Sequence, residues 1–128
     1  MDKKRILVVD DMAISLSAAE NALKELYEVT TMNSGERALR YLGKEETDLI
    51  LLDIRMAEKD GIETLKEIRK LRNGQDIPVI MLTSAPDKHF VIESSKLGIF
   101  DYILKPFDPK DLRKRIENAL SSPQGDSN

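Results

Sequence analysis

Leu49-Ile50-Leu51-Leu52-Asp53 is a run of four aliphatic residues closed by a carboxylate. A run this short and apolar on both alternations reads as a strand buried on both faces, not as a half-solvated one. Two further stretches have the same character. Ile6-Leu7-Val8-Val9 leads into Asp10-Asp11, and Val79-Ile80-Met81-Leu82 leads into Thr83-Ser84. Weaker strand signals lie at Glu28 to Met32 and at Tyr102 to Leu104, the second followed by Lys105-Pro106.

Amphipathic stretches separate these runs. Ile14, Ala18, Ala22 and Leu26 are expected to mark one helical face that ends just before Tyr27. Ala38, Leu39 and Leu42 mark a second helix, and Asn33 with Glu36 three residues later resembles a capping box. Ile62, Leu65, Ile68 and Leu71 mark a third helix, stopped by Asn73-Gly74. Phe90 to Leu97 is a fourth, stopped by Gly98. Leu112, Ile116 and Leu120 mark the last, with Asp108 as its N-cap and Pro109 at the first helical position, where a missing N–H costs nothing. Five strand–helix repeats with buried strands imply a parallel sheet covered by helices on both faces.

With 128 residues the chain can bury one ordinary core and not two. Residues 1–122 read as that domain. Residues 123–128, Pro-Gln-Gly-Asp-Ser-Asn, carry no apolar residue and are expected to be a disordered tail or the start of a linker. A charged content of 34% and a net charge of -3 suit a globular protein and give no basic excess for direct nucleic-acid binding. No apolar run approaches the length of a membrane span, and the four apolar residues after MDKKR are too few for a signal segment, so a cytoplasmic protein is expected. Cysteine is absent, which excludes disulfides, thiolate metal sites and a cysteine nucleophile. A single histidine, His89, excludes a two-histidine zinc site.

In an open parallel sheet, ligands bind beyond the carboxyl ends of the strands, at the point where strand order reverses. The residues that follow the strands are Asp10 and Asp11, Asp53, Thr83 and Ser84, and Lys105. Three carboxylates brought together disfavour joint ionisation, and a hard divalent cation is the usual remedy. Oxygen-only ligands without His or Cys suggest Mg²⁺. Such an ion, with Lys105 and the Thr83 hydroxyl, suits phosphoryl chemistry, and an ionised aspartate is a competent nucleophile toward phosphorus.

Four segments together are specific: ILVVDD (6–11), LILLDIRMAEKDGIETL (49–65), VIMLTSA (79–85) and DYILKPFDPKDL (101–112). They resemble the receiver domains of two-component response regulators. The resemblance implies a flavodoxin-like (βα)₅ fold with strand order 2-1-3-4-5, a topology commonly illustrated by this family. It implies that Asp53 is the phosphoacceptor. Asp10 and Asp11 would place Mg²⁺, Asp11 more directly, and the backbone carbonyl of Arg55 would be a further ligand beside Asp53. Thr83 matches the switch hydroxyl and Lys105 the lysine that contacts the phosphoryl group. Pro106 matches a cis-proline, Tyr102 an aromatic that turns inward when Thr83 moves, and Gly61 the glycine closing the loop after the third strand. The implied donor is a histidine kinase or phosphotransfer protein. The implied output is a changed surface on the fourth helix, fifth strand and fifth helix, read by a downstream protein or an output domain. Dimerisation through that same face belongs to the expectation, and direct contact with nucleic acid or membrane does not. The implied domain is a phosphoacceptor, not an enzyme beyond its own phosphotransfer and autodephosphorylation.

The sequence departs from the family pattern at a few positions. Ala57 stands where proline often follows the loop methionine, and Ser84 where alanine is usual. Arg55 and Ala85 occupy variable positions beside the phosphoryl site, and Arg55 is expected to alter phosphoryl lifetime. Two other classes compete. A haloacid-dehalogenase-type phosphatase also uses an aspartate nucleophile, but needs an acid two residues later, where Arg55 stands. A receiver-fold interaction module that is never phosphorylated would keep the fold without the chemistry. His89 and the basic Arg113-Lys114-Arg115 read by default as solvated surface.

Overall fold

The computed structural model describes residues 3–56, 59–84 and 88–121. The expected tail, and the expectations for Ala57 and Ala85, lie outside the described residues. The elements run β1 (Arg5–Val9), α1 (Ala13–Leu23), β2 (Glu28–Met32), α2 (Gly35–Leu42), β3 (Leu49–Asp53), α3 (Gly61–Ile68), β4 (Val79–Thr83), α4 (Lys88–Lys96), β5 (Asp101–Leu104) and α5 (Pro109–Ser121), with a 3₁₀ turn at Arg72–Gly74. The strands form one sheet in the order β2-β1-β3-β4-β5, and every pairing is parallel. This is the flavodoxin-like order expected from the resemblance.

Period-two alternation divides the core into two halves. Leu7, Val9, Ile50, Leu52, Val79 and Met81 face one side, where Ala38 and Leu42 of α2 and Ile62, Leu65 and Ile68 of α3 cover them. Ile6, Val8, Leu49, Leu51, Ile80, Leu82 and Ile103 face the other, under Ala19 and Leu23 of α1 and Leu112, Ile116 and Ala119 of α5. β3 and β4 are buried along their whole length, which is why their sequences are continuously apolar.

Three helical expectations need correction. The third helix ends at Ile68, so Leu71 lies beyond it, and Asn73-Gly74 belong to the 3₁₀ turn and are not its stop. In α1 the buried residues are Ala19 and Leu23, with Leu16 and Ala22 half-buried, while Ile14 is 80% exposed and Leu26 lies beyond the helix, 56% exposed. The stripe read from the sequence advanced by four residues at every step. Each such step rotates about 40° past a full turn, so after three steps the stripe has drifted about 120° off one face. The true face alternates shorter and longer steps through Leu16, Ala19 and Leu23. The cap of α2 is Ser34, whose side chain accepts from Arg37 N–H, and not Asn33. A reciprocal capping box does occur at α3. Asp60 Oδ1 accepts from Glu63 N–H at 2.9 Å, and Glu63 Oε1 from Asp60 N–H at 3.3 Å. α5 starts as expected, with Pro109 first and Asp108 Oδ2 accepting from Asp111 N–H at 3.3 Å. Gly98 ends α4 at a positive φ of 81°, a conformation that favours glycine.

Candidate functional site

Parallel pairing in the observed register carries the ends of β1, β3, β4 and β5 to one edge. Asp10 follows β1 and is tied to the sheet by its N–H, which donates to Met32 O at 3.1 Å. Asp53 closes β3 opposite Leu82, and Thr83 closes β4 opposite Leu104. Lys105 follows β5, and its N–H donates to Thr83 O at 2.8 Å. The Lys105–Pro106 peptide is cis, as the resemblance implied.

The side chains that converge there are mostly out of water. Asp10 is fully buried, Asp53 is 3% exposed and Thr83 1% exposed, while Asp11 is exposed. Lys105 Nζ lies 2.6 Å from Asp10 Oδ2 and 3.4 Å from Asp53 Oδ2. Asp10 Oδ1 accepts from Met12 N–H at 3.0 Å. Asp10 Oδ2 is held by its ion pair with Lys105 alone, with no further hydrogen bond. Asp53 Oδ1 receives a long bond from Arg55 N–H at 3.4 Å. One carboxylate oxygen each from Asp10, Asp11 and Asp53 lie within 4.8 Å of one another.

Three carboxylates beside one ammonium leave an excess of negative charge. The Asp53 carboxyl is raised to about 6. Burial is the main cause and the neighbouring Asp10 carboxylate the second; Lys105 pulls the other way. A hard divalent cation answers the features of the site: oxygen donors only, a buried carboxylate oxygen held by an ion pair alone, and surplus negative charge. Asp11 borders a cleft of about 400 Å³ shared with Ser34, Gly35, Met56 and Lys59, so the cluster opens to solvent on that side. Gly61 closes the loop behind it. Its N–H donates to Ile54 O at 2.7 Å, and a Cβ there would lie 2.2 Å from Asp53 O. Tyr102 is half-buried and packs on the α2–α3 side of the core.

Asp10, Asp11, Asp53, Thr83 and Lys105 are therefore placed together as the sequence led us to expect. The Arg55 side chain is not part of that cluster. It is exposed and stacks over the ring of Phe90 on α4, with Cζ 5.3 Å from the ring centroid. This contact had no signal in the sequence. Nor is Arg113-Lys114-Arg115 a free basic patch. Arg115 pairs with Asp101 and Asp111, each at 2.9 Å, and Arg113 bonds the Ala22 carbonyl at 3.2 Å. No helix among the described residues is long and apolar enough to cross a membrane.

Known proteins resemble this chain in sequence and in fold. A 41% identical relative over 121 residues is described as "Probable transcriptional regulator ycf27" of Cyanophora paradoxa; the match covers 94% of the chain and 49% of that protein. The chain thus spans about half the length of the curated relatives it matches first. The chemotaxis protein CheY4 of Vibrio cholerae superposes with a TM-score of 0.87 at 28% identity, covering 91% of this chain and 98% of that one. The receiver domain of the sensor histidine kinase PA1611 of Pseudomonas aeruginosa superposes with a TM-score of 0.86 at 30% identity, covering 94% and 99%. That structure is described as having a magnesium ion coordinated in its active-site cleft. Residues 6–117 match the response regulator receiver domain as a whole. On the four motifs, the sheet order and this match, the chain belongs to the response regulator receiver domain family.

Proposed function

We propose that Asp53 accepts a phosphoryl group and that its charge then switches the surface formed by α4, β5 and α5. The observation that carries this reading is the burial of Asp53 at the end of β3, where the Lys105 ammonium contacts both it and the Asp10 carboxylate. The donor is a phosphohistidine on a histidine kinase or phosphotransfer protein. An Asp53 carboxylate oxygen attacks phosphorus, the P–N bond breaks as the P–O bond forms, and the released imidazole nitrogen takes up a proton. The attacking form is the carboxylate, which burial and the Asp10 carboxylate disfavour in the metal-free site. In this reading Lys105 Nζ, 3.4 Å from Asp53 Oδ2, meets one oxygen of the new group, and the Thr83 hydroxyl, buried at the end of β4, donates to another. Tyr102, on the neighbouring strand, follows Thr83 inward.

Asp10, Asp11, Asp53 and the Arg55 carbonyl would hold Mg²⁺. When bound, the ion supplies positive charge against the transferring phosphoryl oxygens. Cytoplasmic residence is part of this reading. The output is a protein contact on the α4–β5–α5 face, where Ile92 is 49% and Leu104 50% exposed. An output domain, a separate target or a second copy of the chain can each occupy such a face. The matched relatives of roughly twice this length are described as transcriptional regulators, which favours an output beyond the domain itself. No observation favours a phosphatase, since position 55 holds a guanidinium where an acid is needed.

The test is incubation with a small phosphodonor and Mg²⁺ followed by intact mass measurement. Wild type gains one phosphoryl group and Asp53→Asn gains none. A retained mass shift in Asp53→Asn overturns the assignment.

A further inference from the structure

α4 is lightly embedded. Ser94 is its single buried residue, and the Ser94 hydroxyl bonds back to the Phe90 carbonyl of the same helix. The helix is held near both ends by arginines from outside it. Just past its carboxyl end, Arg69 donates from Nε to Leu97 O at 3.1 Å and from Nη2 to Gly98 O at 2.9 Å. Its Nη1 reaches Gly74 O and Ile77 O, each at 2.8 Å. Two bonds, to Gly74 O and Ile77 O, fix the half-buried guanidinium to the α3–β4 connection, and the two charge-assisted bonds to Leu97 O and Gly98 O then hold the end of α4 against it.

The amino end is held differently. Arg55 stacks on Phe90 in the first turn of α4, and Phe90 packs against the same half-core as Tyr102. This tether is one exposed cation–π contact, the weaker of the two by its nature. It also starts from a backbone tied to the site. Arg55 stands two residues after Asp53, and its N–H reaches Asp53 Oδ1. A phosphoryl group on Asp53 replaces the single carboxylate charge with close to two, spread over three acceptor oxygens, two residues from this side chain. Guanidinium binds such oxygens through short paired hydrogen bonds, a stronger attraction than an aromatic face offers.

We propose that Arg55 is a charge-operated latch: through Phe90 it holds the first turn of α4 in the unphosphorylated protein, and the phosphoryl group on Asp53 draws it off the ring, releasing that turn while Arg69 keeps the other end in place. The proposal rests on the reading of Asp53 as phosphoacceptor. No covalent bond changes in this step; one cation exchanges an aromatic partner for an anionic one. Arg55 acts here through Phe90 and is a positioning residue.

The experiment is residue-resolved amide hydrogen exchange on the full chain with Mg²⁺, with and without a small phosphodonor, and intact mass read on the same samples. Ile92, Glu93 and Ser94 close the first helical turn and report on the latch, while Leu97 and Gly98 report on the anchor. Without donor, Arg55→Ala and Phe90→Leu are expected to exchange about two- to fivefold faster than wild type at residues 92–94, the ratio an exposed cation–π contact supports. Residues 97 and 98 stay unchanged, Arg55→Lys falls between, and the double variant equals either single one. With donor, wild type rises to the Arg55→Ala level and Arg55→Ala rises no further. Equal exchange in wild type and Arg55→Ala without donor overturns the latch. So do equal increments in the two proteins when the mass shows phosphorylation of both. Absence of any phosphoryl mass in wild type overturns the phosphoacceptor reading, and the release step with it.

Discussion

Replacing Asp53 by asparagine removes a charge that the folded protein holds at a cost. The Asp53 carboxyl stands at about 6 in the fold, against roughly 3.9 in an unfolded chain. A difference of about two units corresponds to on the order of 3 kcal/mol. Water reaches the cluster from the Asp11 side and screens part of this, so about 1–2 kcal/mol is the expected stabilisation in Asp53→Asn. The sign follows from proton binding. Between about pH 4 and about pH 6 the folded state holds the Asp53 proton more tightly than the unfolded state, so wild-type stability falls as pH rises through that window and then levels off. Asparagine does not titrate. Its advantage is therefore full at about pH 7.5 and gone near pH 4. Urea unfolding followed by circular dichroism, with chelator present, measures both ends of the range. Asp53→Asn less stable than wild type at the higher pH, or an equal gain at both, would refute the reasoning. Excess Mg²⁺ should narrow or reverse the gap, because it binds only the folded wild-type cluster well.

The other predictions concern the supports of the site. Gly61→Ala drives a methyl group to 2.2 Å from Asp53 O and 2.8 Å from Ile54 Cα, both backbone atoms that cannot rotate away. We expect a loss of about 2 kcal/mol or more and slower phosphoryl acceptance, read by unfolding and by mass. Arg69→Leu strands four carbonyls and should cost about 2–4 kcal/mol by urea unfolding, with Arg69→Lys recovering only part because ammonium lacks the planar fork. Mg²⁺ should raise the melting temperature of wild type in proportion to the logarithm of its concentration, an increase that Asp11→Asn abolishes. Since Asp11 is exposed, that substitution should leave the metal-free stability within about 0.5 kcal/mol of wild type.

What the sequence disclosed depended on whether the deciding interaction was local. Glu28 to Met32 was a weak strand signal with the correct bounds, because parallel pairing beside β1 leaves little freedom at either end. Asp10, Asp11, Asp53, Thr83 and Lys105 were legible because strand-following positions share one edge in any parallel sheet. The face of α1 was misread because Ile14 and Leu26, two of its more apolar residues, are exposed, while the small Ala19 faces inward. Serine and asparagine both cap helices, so the one-residue choice between Asn33 and Ser34 fell to backbone geometry. The Arg55–Phe90 and Arg69 contacts join residues 35 and about 28 positions apart, and no local pattern encodes such pairings.

The division of the core by the sheet has a practical consequence for redesign. The two apolar clusters share no residue and meet only through the strands between them. The sheet thus works as a partition wall. Volume changes at Leu65 on one side and Leu112 on the other should combine additively, as distant sites do. One room can be refurnished to tune docking or rigidity while the furniture of the other, and the doorway at Asp53, stays where it is.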